Sequence, residues 1–171
     1  MMNLDELNQL SNEAAEEFFV QCCTASSWIK KMINSRPYAT THDLVIAANE
    51  NWQGLDEADY LEAFEGHPKI GNVNSLRKKY GNTKQLASGE QSLVNQASEK
   101  LLGDLAKGND DYFNKFGFIF IVCATGKTAL QMLNLLEQRL INDRALELIK
   151  AAEEQRKIFL IRLDKCLENK V

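Results

Sequence analysis

Apolar residues recur at helical spacing along most of the chain, and this pattern predicts a protein built from α-helices. In the first third, the apolar stripes follow polar residues that can cap a helix: Ser11, Thr40 or Thr41, and Asp56. Their side-chain oxygens can accept hydrogen bonds from the free backbone N–H groups of a first turn. A further short helical segment over 28–33 is expected to end before Arg36-Pro37.

The rest of the chain also reads mainly as helix. Residues 72–86 predict a short helix and a loop, and a long helix is expected from near Ser88 through Leu105. Asn109 or Asp110 is expected to cap a separate short helix that ends at Phe116. Two final helices are predicted over about 127–140 and about 143–168.

One segment breaks the helical pattern. Phe118–Cys123 (FIFIVC) is continuously apolar and predicts a buried extended segment. Because no second convincing strand accompanies it, the expected fold class is all-α. We expect a single-domain bundle of about eight or nine helices with one short extended segment near 118–123.

Composition and charge narrow the class of protein. At 171 residues, with 44% hydrophobic and 26% charged residues, the chain is expected to form one globular domain over 1–171. A net charge of −4 argues against nucleic-acid partners and anionic membranes, which favour basic surfaces. The longest apolar run, Phe118–Ala124, is too short to span a bilayer.

The cysteines and histidines bear on compartment and metal binding. Four cysteines occur without a CxxC pair, and two of them, Cys22 and Cys23, are adjacent. This spacing favours reduced thiols and a cytoplasmic location over a disulfide framework. With two histidines in the chain, we expect no dedicated zinc site.

The strongest candidate for chemistry is His67, within Glu65–Gly71 (EGHPKIG). Pro68 biases the histidine toward extended backbone, and the flanking glycines permit tight dihedral angles. An imidazole can give and take a proton near neutral pH. The alternative is a helix-ending turn whose histidine only hydrogen-bonds nearby backbone.

Two other charged residues are candidates. Glu90 lies in the first turn of a predicted helix, where it is either a structural cap or a carboxylate that orients a histidine or accepts substrate N–H groups. Arg162 stands among apolar neighbours late in the last helix. It either extends to solvent or points inward as a planar clamp for oxygens. Similar functional roles, with less support, can be suggested for four other charged residues, and surface ion pairs are the simpler interpretation. They are Glu16, Arg36, Glu65 and Arg139.

Residues 124–128 (ATGKT) are similar to part of a phosphate-binding loop, but the match is incomplete. The motif requires glycine five positions before Gly126, where this chain has Ile121. The segment is therefore interpreted as the start of a helix.

Together these pieces resemble one family, the 2-oxo-4-hydroxy-4-carboxy-5-ureidoimidazoline (OHCU) decarboxylases of urate degradation. The resemblance spans nearly the whole chain, and its strength lies in the order and spacing of the pieces. They are Leu4–Asn8, Cys23, Ser26, Trp28, Arg36-Pro37, Trp52, Ala63–Gly71, Gly89–Gln91, Phe116–Cys123, Arg139–Asn142, Lys157-Ile158 and Arg162-Leu163.

The resemblance implies an all-helical, cofactor-free decarboxylase, often a homodimer, that converts OHCU to (S)-allantoin. We expect no metal site. It matches His67 to the catalytic histidine, Glu90 to the active-site glutamate and Arg162 to the arginine that grips substrate. It also implies substrate contacts from Pro68, Ala87, Ser88, Gln91, Phe120, Ile121, Val122, Cys123 and Ala124. Many members have serine where this chain has Ala87, which puts one side-chain contact in doubt.

Two other classes of function compete with this one. A non-catalytic helical interaction module would explain the amphipathic helices equally well, but it would not require His67, Glu90 and Arg162 to converge. A helical nucleotide hydrolase would need a metal cluster that the sequence does not suggest.

Overall fold

The computed structural model describes residues 2–69, 72–80 and 91–167, and for residues 91–98 the description is confined to the backbone. Nine α-helices lie in this part of the chain, and its β-structure is one isolated parallel bridge between Met2 and Leu167. The all-α prediction is therefore confirmed. The helices are α1 Leu4–Gln9, α2 Asn12–Val20, α3 Ser26–Asn34, α4 Thr41–Trp52, α5 Glu57–Glu65, α6 Val73–Tyr80, α7 Gln91–Phe116, α8 Ala129–Leu140 and α9 Arg144–Cys166.

Local capping sets the starts of α2, α4 and α5, as the sequence predicts. Ser11 Oγ accepts a hydrogen bond from the backbone N–H of Ala14, and Thr40 and Asp56 make the equivalent bonds three residues ahead. These side chains satisfy backbone donors that have no partner within the helix itself.

The sequence pattern alone did not identify α1. Asn3 and Glu6 form a reciprocal capping box at its start, with both backbone-to-side-chain distances at 2.9 Å. At its other end, Arg36 Nη1 donates to the carbonyl oxygens of Leu7 and Leu10. Arg36 therefore holds the C-terminal end of a helix and is not a simple surface ion pair.

The chain divides into two compact units, of which the first comprises Met1–His67, Ile121–Cys123 and Leu148–Val171. Its core is aromatic: Trp28 packs on Phe159 at a centroid distance of 4.9 Å, and Trp52 meets Phe159 at 5.5 Å. Both indole N–H groups donate to backbone carbonyls, that of Trp28 to Ala48 and that of Trp52 to Ala152. These bonds satisfy the polar ends of buried rings; the first joins α3 to α4 and the second joins α4 to α9.

The second unit comprises Pro68–Phe120 and Ala124–Glu147. Inside it, Arg139 on α8 forms an ion pair with Glu147 at 2.8 Å, and both side chains are almost fully buried. Tyr112 donates its hydroxyl proton to Glu147, and Asn142 donates an amide proton to the same carboxylate. The interpretation of Arg139 as a surface residue was wrong, because its polar partners lie in the core.

The helix α7 is continuous from Gln91 to Phe116, so the expected break at Asn109 or Asp110 is wrong. The Asn109 amide donates to the carbonyl of Leu105, one turn back, and does not cap a new helix. A polar side chain in a helix interior can bond in this way without ending the helix. The predicted start near Ser88 lies outside the described residues.

Residues 119–124 are non-helical, and in the described chain they join no β-ladder. Ile121 and Cys123 are buried there, as the apolar sequence predicts. Thr128 then caps α8, with its Oγ1 accepting from Gln131 N. Residues 124–128 therefore lead into a helix start, in agreement with the interpretation of this segment. No helix in the described parts is long and apolar enough to cross a bilayer.

Candidate functional site

His67 lies two residues after the end of α5 at Glu65, with Gly66 as the helix C-cap between them. Its backbone N–H donates to the Phe64 carbonyl at 3.1 Å, so the first part of the loop continues the helix end. Gly66 adopts φ −68°, an ordinary helical value. Position 66 requires glycine for lack of space, because a Cβ added there would lie 2.2 Å from Thr24 Oγ1. The expected role of unusual dihedral angles at Gly66 is therefore wrong.

The neighbouring Thr24 ties α5 to the loop before α3. Its hydroxyl donates to the carbonyl of Glu62 at 3.0 Å. The Glu62 carboxylate in turn accepts from the backbone N–H of Ser26 at 3.0 Å. These bonds fix the end of the helix that carries His67.

Among the residues that the structure describes, the imidazole of His67 is bonded to a side chain and not to backbone. Its Nε2 lies 2.5 Å from Oε1 of Gln155 on α9. Gln155 is fully buried, whereas His67 is half-buried. One nitrogen of the ring is therefore engaged by a buried amide.

Arg162 lies on the same helix, seven residues after Gln155. It is half-buried, and its Nη1 donates to the carbonyl oxygen of Cys22 at 3.1 Å. The sequence left two alternatives for Arg162. The guanidinium does not extend to solvent, because it is hydrogen-bonded to the backbone carbonyl of Cys22, just after α2. Seven residues are close to two helical turns, so Gln155 and Arg162 share one face of α9.

The surroundings of His67 favour the neutral form of its ring. Burial lowers the pKa of His67 below its ordinary value, and the positive charge of Arg162 lowers it further, while the bond to Gln155 acts in the opposite direction. A neutral imidazole can accept a proton, and a guanidinium can stabilise oxygen atoms that gain negative charge. The first unit therefore brings together an imidazole and a guanidinium that have these capacities.

The non-helical segment 121–123 is also fixed to α9 in this unit. The backbone N–H of Cys123 donates to Oε2 of Glu154 at 2.8 Å. Glu154 precedes Gln155 in the chain, and its other oxygen accepts from Lys157. Ile121 and Cys123 are buried and Val122 is half-buried, which suits a segment expected to provide an apolar wall.

Other predicted contact residues lie in the second unit. Phe120 stacks beneath the Arg139 guanidinium at 4.8 Å and meets Tyr112 edge-on at 5.2 Å. Pro68 follows His67 directly, and Ala124 accepts from the Lys127 backbone N–H. The backbone of Gln91 forms the first residue of α7. Ala87, Ser88 and Glu90 lie outside the described residues.

All four cysteines are free thiols. Burial raises the pKa of Cys23 to about 11 and raises that of Cys22 as well, so these two thiols are protonated at neutral pH. In the ranges that the structure describes, no cluster of three or more His, Cys, Asp or Glu side chains is arranged to hold a metal ion.

Gln155 is the site residue that the sequence analysis missed. It is a polar residue on a face of α9 that otherwise buries Ala151, Ala152, Phe159 and Leu163. A polar residue in the middle of an apolar stripe can be recognised in the sequence, and it predicts a buried hydrogen-bond partner, since buried polar groups are normally bonded. Its partner, 88 positions away, was not available from spacing.

Comparisons with known proteins identify the family. The sequence model of the OHCU decarboxylases matches residues 8–164. A uric acid degradation bifunctional protein of Arabidopsis thaliana is 35% identical over 162 residues, 94% of this chain and 50% of that protein. The OHCU decarboxylase of Amia calva is 32% identical over 178 residues, covering 98% of this chain and 95% of that one.

A solved structure agrees in fold. The crystal structure of an OHCU decarboxylase in the presence of (S)-allantoin has a TM-score of 0.68 and 36% identity, covering 88% of this chain and 96% of that chain. The chain spans half the length or less of the bifunctional relatives that it matches. The extent of the family match and these similarities establish that the chain belongs to the OHCU decarboxylase family.

Proposed function

We propose that this chain decarboxylates OHCU to (S)-allantoin, as a step of urate degradation, without a cofactor. The observation that carries the proposal is the occurrence, in one unit, of a half-buried His67 bonded to Gln155 and of Arg162, whose charge acts on that ring. Membership of the OHCU decarboxylase family supports the choice of substrate.

The substrate supplies its own electron sink. Its C4 carries a carboxylate and a hydroxyl, and the neighbouring C5 is doubly bonded to nitrogen. When the bond from C4 to the carboxylate breaks, its electron pair forms a C4=C5 bond, and the imine π pair moves to nitrogen, which takes a proton. The products of this step are CO2 and an enol that is also an enamine. The enol then loses its hydroxyl proton to become the C4 ketone while C5 gains a proton.

The three candidate catalytic residues take distinct roles in this scheme. His67 removes and returns protons at the C4 hydroxyl and the ring, a contribution of about 10²–10⁴-fold for a well-placed group. Arg162 binds oxygens that gain negative charge; a clamp on the departing carboxylate alone would favour the ground state. Glu90, assigned from the family resemblance, orients His67 or accepts the ureido and ring N–H groups.

The remaining contacts would hold the ring and exclude water. We assign this role to Pro68, Ala87, Ser88, Gln91, Phe120, Ile121, Val122, Cys123 and Ala124. A wall that excludes water would direct C5 protonation to one face and so produce a single enantiomer. The burial of Ile121 and Cys123 supports this role for their segment.

The proposal extends to the domain organisation, the cellular location and the oligomeric state of this chain. We propose that residues 1–171 act as one catalytic domain, since the family match over 8–164 runs through both compact units. The free thiols support a cytoplasmic location.

We also propose a homodimer. Ile141 and Leu146 are large apolar residues of the second unit that are 83% and 41% exposed, and a second copy would cover them. Light scattering at the working concentration should give twice the mass of 19.4 kDa.

Circular dichroism of allantoin formed from freshly generated OHCU tests the activity. Because OHCU also decays spontaneously, a reaction without protein is the control. The protein should accelerate product formation and produce optically active (S)-allantoin. Equal rates and a racemic product with and without the protein would reject the decarboxylase and favour the interaction module.

A further inference from the structure

The side chain of Gln155 lies in the core of the first unit, and among the described residues it forms one hydrogen bond. Its side chain is fully buried, and Oε1 lies 2.5 Å from Nε2 of His67. Its Nε2 has no hydrogen-bond partner among the described residues. A buried amide is normally bonded at both ends, so an amide whose described partner is a single histidine suggests a specific role beside that ring.

We propose that Gln155 is a positioning residue that holds His67 in the tautomer protonated at Nε2, so that Nδ1 is the nitrogen that exchanges protons with substrate. An amide oxygen can only accept, and the ring nitrogen facing it must therefore carry the proton. The remaining ring nitrogen, Nδ1, then carries the lone pair. This assignment rests on the proposed function, since it names which atom of His67 acts in that reaction.

An amide suits this task better than a carboxylate. The N–H of Nε2 stays bonded to Gln155 both before and after Nδ1 takes a proton, so the ring keeps its orientation through the cycle. A carboxylate in the same place would stabilise the imidazolium and retain the proton. The neutral amide fixes orientation while the nearby Arg162 charge favours the neutral ring.

The helix that carries Gln155 is fixed close by. The carbonyl of Ala152, less than one turn before Gln155, accepts the indole N–H of Trp52 at 3.1 Å. The adjacent Glu154 holds the backbone of Cys123. Gln155 therefore lies on a helix that is bonded, at Ala152 and Glu154, to two other segments of the first unit, which suits a residue that positions a functional group.

Nitrogen-15 NMR of the histidine rings tests the assignment directly. The chain has two histidines, and the exposed His42 serves as an internal reference. In the wild-type protein, His67 should show the tautomer protonated at Nε2. Gln155→Leu should abolish that preference while leaving the His42 signals unchanged. Observation of the Nδ1-protonated tautomer in the wild type, or an unchanged His67 in Gln155→Leu, would overturn the proposal.

Two substitutions separate positioning from packing. Gln155→Glu keeps an acceptor oxygen, so it should keep the tautomer but raise the pKa of His67. Gln155→Leu should lower kcat about 10- to 100-fold with little change in KM, the scale seen for partners that orient a functional histidine. Leu163→Val, a buried change about two turns further along α9, is the matched control and should keep kcat and the tautomer. If Gln155→Leu does not fold, Gln155→Met, closer in shape to glutamine, takes its place.

The outcomes distinguish this inference from the proposed function. A wild-type protein without decarboxylase activity rejects the function, whatever the tautomer of His67. An active wild type whose Gln155→Leu variant folds and retains full kcat rejects the positioning role and leaves the function intact.

Discussion

Thr24 fills the space in which a side chain on Gly66 would lie, with Oγ1 only 2.2 Å from the position of an added Cβ. The close approach of Thr24 explains why the residue before the histidine is glycine, and the hydrogen bond from Thr24 to the Glu62 carbonyl holds this end of α5. The dihedral angles at Gly66 would accept any residue, so its requirement is steric.

Gly66→Ala should therefore disturb the histidine loop. Overpacking of this kind costs about 1–3 kcal/mol, and the displaced loop should also lower kcat. Urea unfolding and the allantoin assay measure the two effects. Gly103→Ala is the control, because nothing lies within 4 Å of an added Cβ at that helical position. It should be neutral or slightly stabilising. Equal effects of the two substitutions would contradict the steric argument.

His67→Asn should fold normally and lose at least about 100-fold in kcat, because the variant lacks the group that exchanges protons. His42→Asn, at an exposed position in α4, provides a matched control and should retain wild-type kinetics. The measurement is the rate and optical activity of allantoin formation. Wild-type rate and enantiomeric excess in the His67 variant would exclude this residue from the chemistry.

Arg162→Lys should lower kcat/KM, although the positive charge is kept. A lysine ammonium is a point charge and does not reproduce the planar guanidinium, one nitrogen of which is bonded to the Cys22 carbonyl. Arg156→Lys changes another arginine of α9, whose partners are Glu153 and Asn49, and should have little effect on turnover. Steady-state kinetics of both variants decide the matter: if the Arg162 variant matches its control, the clamp is wrong.

The pH dependence of kcat/KM should show an acid limb below pH 6.5. Burial and the charge of Arg162 both lower the pKa of His67, whose ordinary value is 6.5, so more acid is needed to protonate the ring. The neutral base then persists through neutral pH and is lost only as pH falls through its lowered pKa. Arg162→Gln removes one cause of the shift and should raise the pKa of His67, which an NMR titration measures. A His67 pKa above 6.5 in the wild type would contradict this expectation.

The buried ion pair of the second unit should dominate a stability measurement. Glu147→Gln leaves Arg139 buried without its charge partner, a change that costs about 3–5 kcal/mol. Glu153→Gln breaks an ion pair with Arg156 in which the glutamate is 48% exposed, and it should cost less than about 1 kcal/mol. Urea unfolding at pH 7 compares the two variants, and similar losses would show that burial of the Arg139 pair has no special effect.

The ion pair between Arg139 and Glu147 should also make the stability of the fold depend on pH. Burial raises the pKa of Glu147, but hydrogen bonds from Arg139, Tyr112 and Asn142 outweigh it, so the net pKa is lowered. The pair therefore stabilises the fold fully above the unfolded-state pKa of glutamate, and the contribution is lost as pH falls through the lowered native value. Glu147→Gln should lose less stability on acidification than the wild type.

Local sequence determined much of the helical architecture. Ser11, Thr40 and Asp56 begin helices because each side chain bonds a backbone N–H only three residues ahead. The expected break at Asn109 failed for a related reason: the same kind of side chain can bond one turn back and leave the helix continuous. Spacing does not reveal which of these bonds forms.

Tertiary structure decided what surrounds each candidate residue. The sequence by itself singled out His67 and Arg162, since an imidazole on a shaped loop and an arginine in an apolar stripe are unusual in their own surroundings. It did not reveal that His67 bonds Gln155, 88 positions away, or that Arg162 bonds the carbonyl of Cys22, 140 positions away. Contacts of that separation depend on how α9 packs, and packing is a property of the whole core, whereas a helix cap depends on a few neighbouring residues.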